Sequence, residues 1–294
     1  MVKDTFGDRV FDVIIHVVLG LTLLIVLYPL VFVAVASISD PAAVLAGEVW
    51  LFPKGFTLMG YEKVFQNGEI LNGYANTILY TVIGTLINLV MTTLAAYPLA
   101  RRDFFGRNGF MALFVFTMFF SGGLIPTYLL VKNLGMVNTM WALVIPNAVS
   151  VWNIIIMRTF FQQNIPLEVQ ESAQMDGCSN IQILLRMVLP LSLPILAVMT
   201  LFYSVSHWNA FFNALIYLSD RGKYPLQLIL REILIQNNMN DMVQTNEESL
   251  AKSLMQAESI KYAVVIIANL PVLMLYPFLQ RYFVKGLTIG AVKG

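Results

Sequence analysis

Few side chains in this sequence have the chemistry of a catalytic or metal-binding group. The chain contains two histidines, His16 and His207, and one cysteine, Cys178. So few imidazole and thiol groups do not make a zinc-binding set, and a single cysteine excludes a disulfide within the chain. No Asp or Glu lies in the apolar run around His207, so no Ser-His-Asp arrangement is predicted there. We therefore predict no catalytic residue, no metal site and no cofactor bound by this chain.

The chemistry that the sequence does offer is charge pairing in one polar segment, residues 158–186, between two apolar runs. Its acidic side chains are Glu168, Glu171 and Asp176. A connector that lies on anionic lipid gains about 1 kcal/mol for each Lys or Arg, so acidic groups there favour a soluble protein partner. An ordinary amphipathic connector on the membrane surface remains the alternative.

Local signals in this segment predict a short helix over residues 167–176. Pro166 suits the first position of a helix because its missing N–H is not needed there. Glu168 and Glu171 follow in the early turns, where the helix dipole favours negative charge. Gly177 suits the left-handed conformation that ends many helices. A second helix is predicted to begin at residues 180–187.

Composition indicates what surrounds this segment. The chain is 58% hydrophobic and only 12% charged, against roughly 25% charged residues in soluble domains. Its net charge of +1 gives no sign of nucleic-acid binding. Six stretches contain no Asp, Glu, Lys or Arg, and each reaches the length of about 17–25 residues that crosses a bilayer as a helix. Membrane-spanning strands would be shorter and would alternate in polarity.

The predicted fold is an all-α polytopic membrane protein with one transmembrane domain over residues 1–294. Its six transmembrane helices are predicted at residues 11–38, 72–101, 108–131, 139–160, 187–213 and 261–283. The first is expected to stay uncleaved, because its apolar run is longer than the roughly 7–15 residues of a secretory signal. Gly122-Gly123 and Pro126 predict a break in the third span. Pro190 and Pro194 are expected to disturb the fifth.

The cations predict the orientation. With the N-terminus inside, the inner segments hold ten of the 18 Lys and Arg residues, including Arg101-Arg102 directly after the second span. Because cytoplasmic loops are enriched in Lys and Arg, both termini and the segment 164–182 are predicted to be cytoplasmic. The two long loops, residues 40–70 and 219–260, are then extracytoplasmic. They either cap the bundle or contact an extracytoplasmic partner, and the residues alone leave both interpretations open.

The polar segment resembles a known motif. Glu171-x-Ala173, Gly177 and Leu189-Pro190 are spaced as in the EAA loop of ATP-binding-cassette (ABC) importer permeases. The lead-in 160–166 resembles the carbohydrate-uptake subgroup, and the tail 284–294 resembles the second permease subunit of maltose-type importers. The departures, Ser172 and Cys178 where Ala is usual and Met187 where Ile is usual, remove no charge. The likeness extends to importers of alginate and pectin fragments.

The resemblance implies a type I ABC importer permease in the bacterial cytoplasmic (inner) membrane. Such a permease pairs with a second permease, with two ATPase subunits that hold ATP and Mg, and with an extracytoplasmic substrate-binding protein that delivers an oligosaccharide. The chain itself lacks the phosphate-binding loop of an ATPase. The coupling residues implied are Glu168, Glu171, Ser172, Ala173, Asp176 and Gly177. The tail residues implied to contact the ATPase are Gly286, Leu287, Thr288, Gly290 and Lys293.

Sugars are bound by aromatic rings, amides and hydroxyls, and polar groups inside spans tend to face a cavity or another helix. The candidate substrate-path residues are Tyr128, Asn153, Tyr203, Ser206, Trp208, Asn209 and Asn213. The alternative for each is an interhelical hydrogen bond, worth about 0.6 kcal/mol.

Two other functions remain open at this stage: a permease for another small solute, and an ion-coupled secondary transporter. The second would need intramembrane carboxylates or inverted repeats, and the six charge-free stretches contain no Asp or Glu. A membrane enzyme has no catalytic constellation to support it.

Overall fold

The computed structural model describes residues 6–243, 258, 260–274 and 277. Every regular element within these residues is helical. In chain order the helices are α1 (Phe6–Ala36), α2 (Pro41–Leu45), α3 (Met59–Gln66), α4 (Gly68–Ala100), α5 (Arg107–Phe119), α6 (Leu124–Asn133), α7 (Trp141–Val144), α8 (Val151–Asn164), α9 (Leu167–Met175), α10 (Asn180–Ile183), α11 (Leu189–Leu191), α12 (Leu193–Trp208), α13 (Phe212–Tyr217), α14 (Leu226–Val243) and α15 (Ile260–Met274). A π-helical turn, Leu184–Val188, joins α10 to α11, and 3₁₀ turns lie at Ile145–Asn147 and Arg221–Lys223.

The predicted all-α membrane architecture is confirmed. Helices α1 and α4, of 31 and 33 residues, are each long and apolar enough to cross a bilayer. Three bent pairs supply further candidates: α5 with α6 at 112°, α7 with α8 at 52°, and α10–α11 with α12 at 83°. If each bent pair is one span, the described residues contain five candidate spans. The sixth predicted span, 261–283, begins in α15 and continues beyond the described residues.

The bends have local causes. At the break between α5 and α6, Gly123 has φ +84°, a conformation that other residues rarely adopt, and this is the break that the Gly-Gly-Pro sequence predicts. Between α11 and α12, Ser192 leaves the helical conformation and is flanked by Pro190 and Pro194. Because proline has no N–H and crowds the preceding turn, it interrupts the hydrogen-bond ladder at this point.

Both predicted long loops contain more helix than the sequence indicated. Residues 40–70 include α2, α3 and the beginning of α4, and residues 219–260 include all of α14. Charged residues such as Glu62 and Arg231 exclude these stretches from a bilayer core. They do not prevent helix formation, so a prediction based on charge alone misses these helices.

The described residues belong to two compact units, the first formed by Met1–Gly68 with Leu230–Asn269. In this unit the most apolar part of α1 is entirely exposed. A helix that is apolar on all sides needs lipid or a partner helix around it. The turn after α1 is fixed by the pair Ser37 Oγ and Tyr61 hydroxyl at 2.8 Å, and the ring of Phe32 packs edge-on against Tyr262.

The second unit, Glu69–Ile229 with Leu270–Gly294, contains the main core among the described residues. Its centre is formed by fully buried side chains of α4, α8 and α12, among them Ala96, Ile154, Met157 and Met199. Ala173 of α9 is buried in the same cluster. The short polar helix is therefore packed against the membrane bundle through its one apolar contact residue.

Helix α4 contacts α12 closely at Gly84. A Cβ atom at this position would lie 2.5 Å from His207 Nε2, and the same nitrogen is held by Asn88 Oδ1 at 2.6 Å. Because the imidazole is fixed by this hydrogen bond, it cannot move away without losing its partner.

We expect Gly84→Ala to lower the stability of the folded protein by about 1–3 kcal/mol, the usual cost of overpacking. The measurement is thermal unfolding of the purified complex in detergent. Gly109→Ala is the matched control, because no neighbouring atom lies within 4 Å of its Cβ position and alanine favours the helix by about 0.5–1 kcal/mol. Equal unfolding temperatures of the two variants would contradict the close approach of α4 and α12 at Gly84.

Candidate functional site

The polar segment folds as helix α9, where the sequence predicts a helix. Pro166 is the residue before the first helical position, with φ −58° and ψ 138°, rather than the first helical residue. The helix ends at Met175, and Gly177 has φ +80°. There the N–H groups of Gly177 and Cys178 donate to the carbonyls of Gln174 and Ala173. These bonds satisfy the end of the helix and turn the chain toward α10.

The side chains of α9 divide between two faces. Glu168, Glu171, Ser172 and Asp176 are exposed, and the described residues contain no ion-pair partner for the three carboxylates. The Ser172 hydroxyl donates to the carbonyl of Val169 within the helix. Ala173 is completely buried in the chain's own core, so its small side chain allows α9 to approach the bundle. The exposed face therefore presents unpaired negative charge.

A groove of about 600 Å³ lies beside this face. It separates α9 from the segment that follows α4, and it contains charges of both signs. Its charged lining residues are Arg101, Arg102, Asp103, Arg107, Glu168 and Glu171. The groove is large enough to receive side chains of another protein, and its arginines and glutamates can pair with either charge.

Arg101 is the buried charge of this region. Its guanidinium donates to both carboxylate oxygens of Asp103, Nε to Oδ1 at 2.8 Å and Nη2 to Oδ2 at 2.6 Å. The hydrogen bond from Arg101 holds the pKa of Asp103 below its ordinary value, so the carboxylate stays charged at neutral pH. Nη1 also donates to the Tyr97 hydroxyl and to Asn180 Oδ1.

A second cavity, of about 370 Å³, lies among the helices of the same unit. Four of the seven predicted substrate-path residues line it: Asn153, Tyr203, Ser206 and Asn213. Further polar side chains of the predicted spans also line it, namely Thr77, Tyr80, Asn88, Asn147, Ser150 and His207. None of the lining residues is Asp, Glu, Lys or Arg, so the cavity wall is polar without formal charge.

Part of this polar wall is engaged in helix-to-helix contacts. Asn88 donates to the carbonyl of Asn147 at 2.7 Å and lies 2.6 Å from His207 Nε2. The Tyr203 hydroxyl pairs with Thr92 Oγ1 at 2.6 Å. The hydroxyl of Tyr203 is therefore engaged in a hydrogen bond between helices, even though the residue lines the cavity. The side chains of Asn153, Ser206 and Asn213 make no hydrogen bond within the part of the chain that the structure describes.

Three predicted path residues lie outside the cavity. Trp208 is buried, and its ring packs edge-on against Tyr74 at 5.6 Å. Asn209 donates its side-chain amide to the carbonyl of Val205 at 2.9 Å. Tyr128 stacks on Tyr217 at 5.9 Å. Trp208 and Asn209 lie at the end of α12, and Tyr128 lies in the middle of α6. All three side chains contact neighbours outside the cavity lining.

The segment 219–225, called the closing segment below, borders the cavity, and its Pro225 is one of the lining residues. The amides of Asn72 and Asn76 donate to the carbonyl of Gly222, and the Tyr80 hydroxyl donates to the carbonyl of Lys223. Thr77 Oγ1 accepts from the Leu226 N–H at 2.8 Å. The polar residues recur at every fourth position of α4, and this spacing is the sequence signal from which the contact could have been found.

An ion pair and a turn also hold the closing segment in place. Arg221 forms a bidentate ion pair with Glu69, with N to O distances of 3.2 and 3.0 Å. Asn138, with φ +60°, accepts the N–H groups of Ser219 and Asp220 on its side-chain oxygen. Together with the bonds from α4, these contacts fix the segment at both of its sides.

The predicted tail residues, Gly286, Leu287, Thr288, Gly290 and Lys293, lie outside the described residues. The site that the structure describes therefore consists of the exposed face of α9, the groove beside it and the neutral cavity.

No protein-family model matches the chain, but individual relatives do. The chain is 44% identical over 291 residues to Protein LplC of Bacillus subtilis (strain 168), covering 99% of this chain and 97% of that protein. It is 42% identical over 289 residues to the polygalacturonan/rhamnogalacturonan transport system permease protein YtcP of the same organism, covering 98% and 99% of the two chains.

A solved structure shows the same relationship. It is described as the crystal structure of a bacterial ABC transporter involved in the import of the acidic polysaccharide alginate. One of its chains superposes on this one with a TM-score of 0.86 at 34% identity, covering 96% of this chain and 100% of that chain. With its helical membrane fold, the chain belongs to the permeases of ABC sugar importers, and it is a transport subunit rather than an enzyme.

Proposed function

We propose that this chain is one of two different permeases in an ATP-driven, binding-protein-dependent importer of oligosaccharides. In this proposal it lies in the bacterial cytoplasmic membrane with both termini inside, and two ATPase subunits supply ATP and Mg. The observation that carries the proposal is the exposed face of α9. Three carboxylates there have no cationic partner among the described residues, although the helix is packed into the hydrophobic core of the protein through Ala173.

The coupling role follows from how α9 is held. Its buried residue joins it to the bundle, so a force on its exposed face is transmitted to α8 and α12 through packed side chains. Glu171 is the residue that pairs with a basic group of the ATPase in this proposal, while Glu168 and Asp176 extend the same acidic surface. Truncating one partner of a buried interface ion pair costs about 2–5 kcal/mol, enough to weaken docking severely.

The cavity is the part of the sugar path that this chain contributes. Sugar hydroxyls exchange hydrogen bonds with amides and hydroxyls, and the groups of Asn153, Ser206 and Asn213 are not engaged with the protein. Because the lining carries no formal charge, the cavity suits the hydroxyl-bearing faces of a saccharide. Relatives named for polygalacturonan and alginate transport support acidic oligosaccharides as the substrate class.

A permease for another small solute is the second candidate. The cavity wall contains no cation, and this observation favours a solute without carboxylates. A carboxylated sugar would have to pair with cations of the partner permease or of the binding protein. Transport of a substrate panel separates the two candidates.

The Glu171→Ala variant is expected to lose most ATP hydrolysis that depends on substrate and binding protein, because the ATPase loses its docking charge. The measurement is ATPase activity of the complex in proteoliposomes. Glu171→Asp keeps the charge and is expected to recover part of the activity. Glu62→Ala, an exposed carboxylate of α3, is the control. Unchanged stimulation in Glu171→Ala would overturn the coupling role.

Replacing Asn213 by Leu is expected to reduce uptake about tenfold, because a hydrogen-bond partner of the sugar is lost and replaced by an apolar group. Asn209→Leu is the matched control, since Asn209 lies four positions earlier in the chain, at the end of α12, and outside the cavity lining. The measurement is uptake of labelled oligosaccharide at subsaturating concentration. Equal loss in the two variants would contradict a sugar path through this cavity.

For the substrate class, we expect oligogalacturonate or oligoalginate to stimulate the ATPase of the reconstituted importer. Neutral maltooligosaccharides of the same length serve as the comparison. Stimulation by the neutral series alone would overturn the acidic assignment while leaving a sugar importer in place.

A further inference from the structure

Arg101 joins two parts of the chain that have separate tasks in the proposed transport cycle. It follows the last residue of α4 and is only 9% exposed, which is unusual for an arginine. Its Nη1 donates to Asn180 Oδ1 at 2.8 Å. Asn180 is the first residue of α10 and follows the turn at Gly177 by three positions. A charged hydrogen bond therefore connects the end of α4 to the end of the coupling segment 164–182.

The other contacts of Arg101 fix its position. Asp103 neutralises the guanidinium through two parallel bonds, and the Tyr97 hydroxyl accepts a third bond from α4 itself. Arg107 Nη1 donates to the carbonyl of Arg101 at 3.2 Å. With its planar fork held on three sides, Arg101 has little freedom to follow a movement of Asn180 without carrying α4 with it.

The neighbouring turn is held in a similar way. Arg158 of α8 donates from Nε to the carbonyl of Leu99 at 3.0 Å. Cations at the carboxyl end of a helix also interact favourably with its dipole. On the other side of the contact, Ser179 and Gln182 form a capping box, so α10 begins at a fixed residue. Both sides of the Arg101–Asn180 bond are thus rigid.

Helix α4 leads from this contact to the cavity. Its residues Asn88, Tyr80 and Thr77 line the cavity wall, and Asn72 and Asn76 donate to the carbonyl of Gly222 in the closing segment. A displacement of α4 therefore moves both the wall of the cavity and the groups that bind its closing segment.

We propose that Arg101 is a positioning residue that transmits movement of the coupling segment to α4, through its hydrogen bond to Asn180. This inference rests on the proposed coupling function of α9. It adds a second connection to the one made by Ala173: the first packs α9 into the core formed by α4, α8 and α12, and the second joins the beginning of α10 to the end of α4 through a directed hydrogen bond.

The test uses Asn180, because the exposed amide can be changed without removing a buried charge. Asn180→Ala removes the acceptor, and Asn180→Asp keeps an oxygen in its place. The measurements are basal ATPase activity, ATPase activity stimulated by binding protein and sugar, and sugar transported per ATP, all in the complete importer in proteoliposomes. Thermal unfolding of each complex is recorded in parallel.

We expect Asn180→Ala to lower the sugar transported per ATP by about tenfold or more, in line with the loss of one hydrogen bond to a charged group. Its basal ATPase activity is expected to remain within about twofold of the unchanged protein, and Asn180→Asp is expected to restore transport. Arg186→Ala, an exposed arginine on the following π-helical turn, is the control and should transport normally.

A lower unfolding temperature in Asn180→Ala with an unchanged ratio of sugar to ATP would overturn the inference, because the bond would then serve stability alone. Failure of Asn180→Asp to restore transport would also overturn it. If Glu171→Ala uncouples the importer and Asn180→Ala does not, the proposed function stands and this inference fails. If Glu171→Ala has no effect, the proposed function itself fails.

Discussion

Most polar side chains of helix α4 find hydrogen-bond partners inside an apolar bundle, and these contacts organise the second unit. Unpaired polar groups are costly where water is excluded. Asn76 and Tyr80 therefore bind main-chain carbonyls of the closing segment, Asn88 binds the 3₁₀ turn and His207, and Thr92 pairs with Tyr203. These bonds join α4 to the closing segment, to the 3₁₀ turn and to α12, so one helix positions the closing segment, the cavity wall and the core.

Charge is separated along the same unit. The cavity wall is polar but carries no formal charge, whereas the groove beside α9 contains arginines and carboxylates of both signs. This arrangement fits the two environments of a permease, which are water at the membrane surface and the apolar interior of the helix bundle. Charged groups are stable where water or a protein surface solvates them, and neutral amides and hydroxyls remain acceptable within the bundle.

The interruptions of the helices also have a structural role. Gly123 between α5 and α6, and Ser192 with its flanking prolines between α11 and α12, replace straight spans with bent pairs. Short helices packed at angles to one another can leave a cavity between them, whereas straight parallel helices would pack together and fill that space. The bend before α12 lies between the coupling segment and Tyr203, Ser206 and His207 of the cavity wall. The two sites are therefore connected by two helices that meet at a bend, and not by one continuous helix.

The sequence by itself determined the helical membrane class, the break at Gly122-Gly123, the short helix around Glu171 and its end at Gly177. Each depends on local chemistry: runs without charge, backbone conformations open to glycine, and the helix dipole. Tertiary structure alone decided which polar residues meet. Trp208 and Asn209 are candidate path residues because they are aromatic or polar within a predicted span, yet they contact Tyr74 and the carbonyl of Val205. Arg101 reaches Asn180 across 79 positions of sequence. Such contacts depend on how helices pack and bend, and helical periodicity specifies a face without specifying the neighbour that covers it.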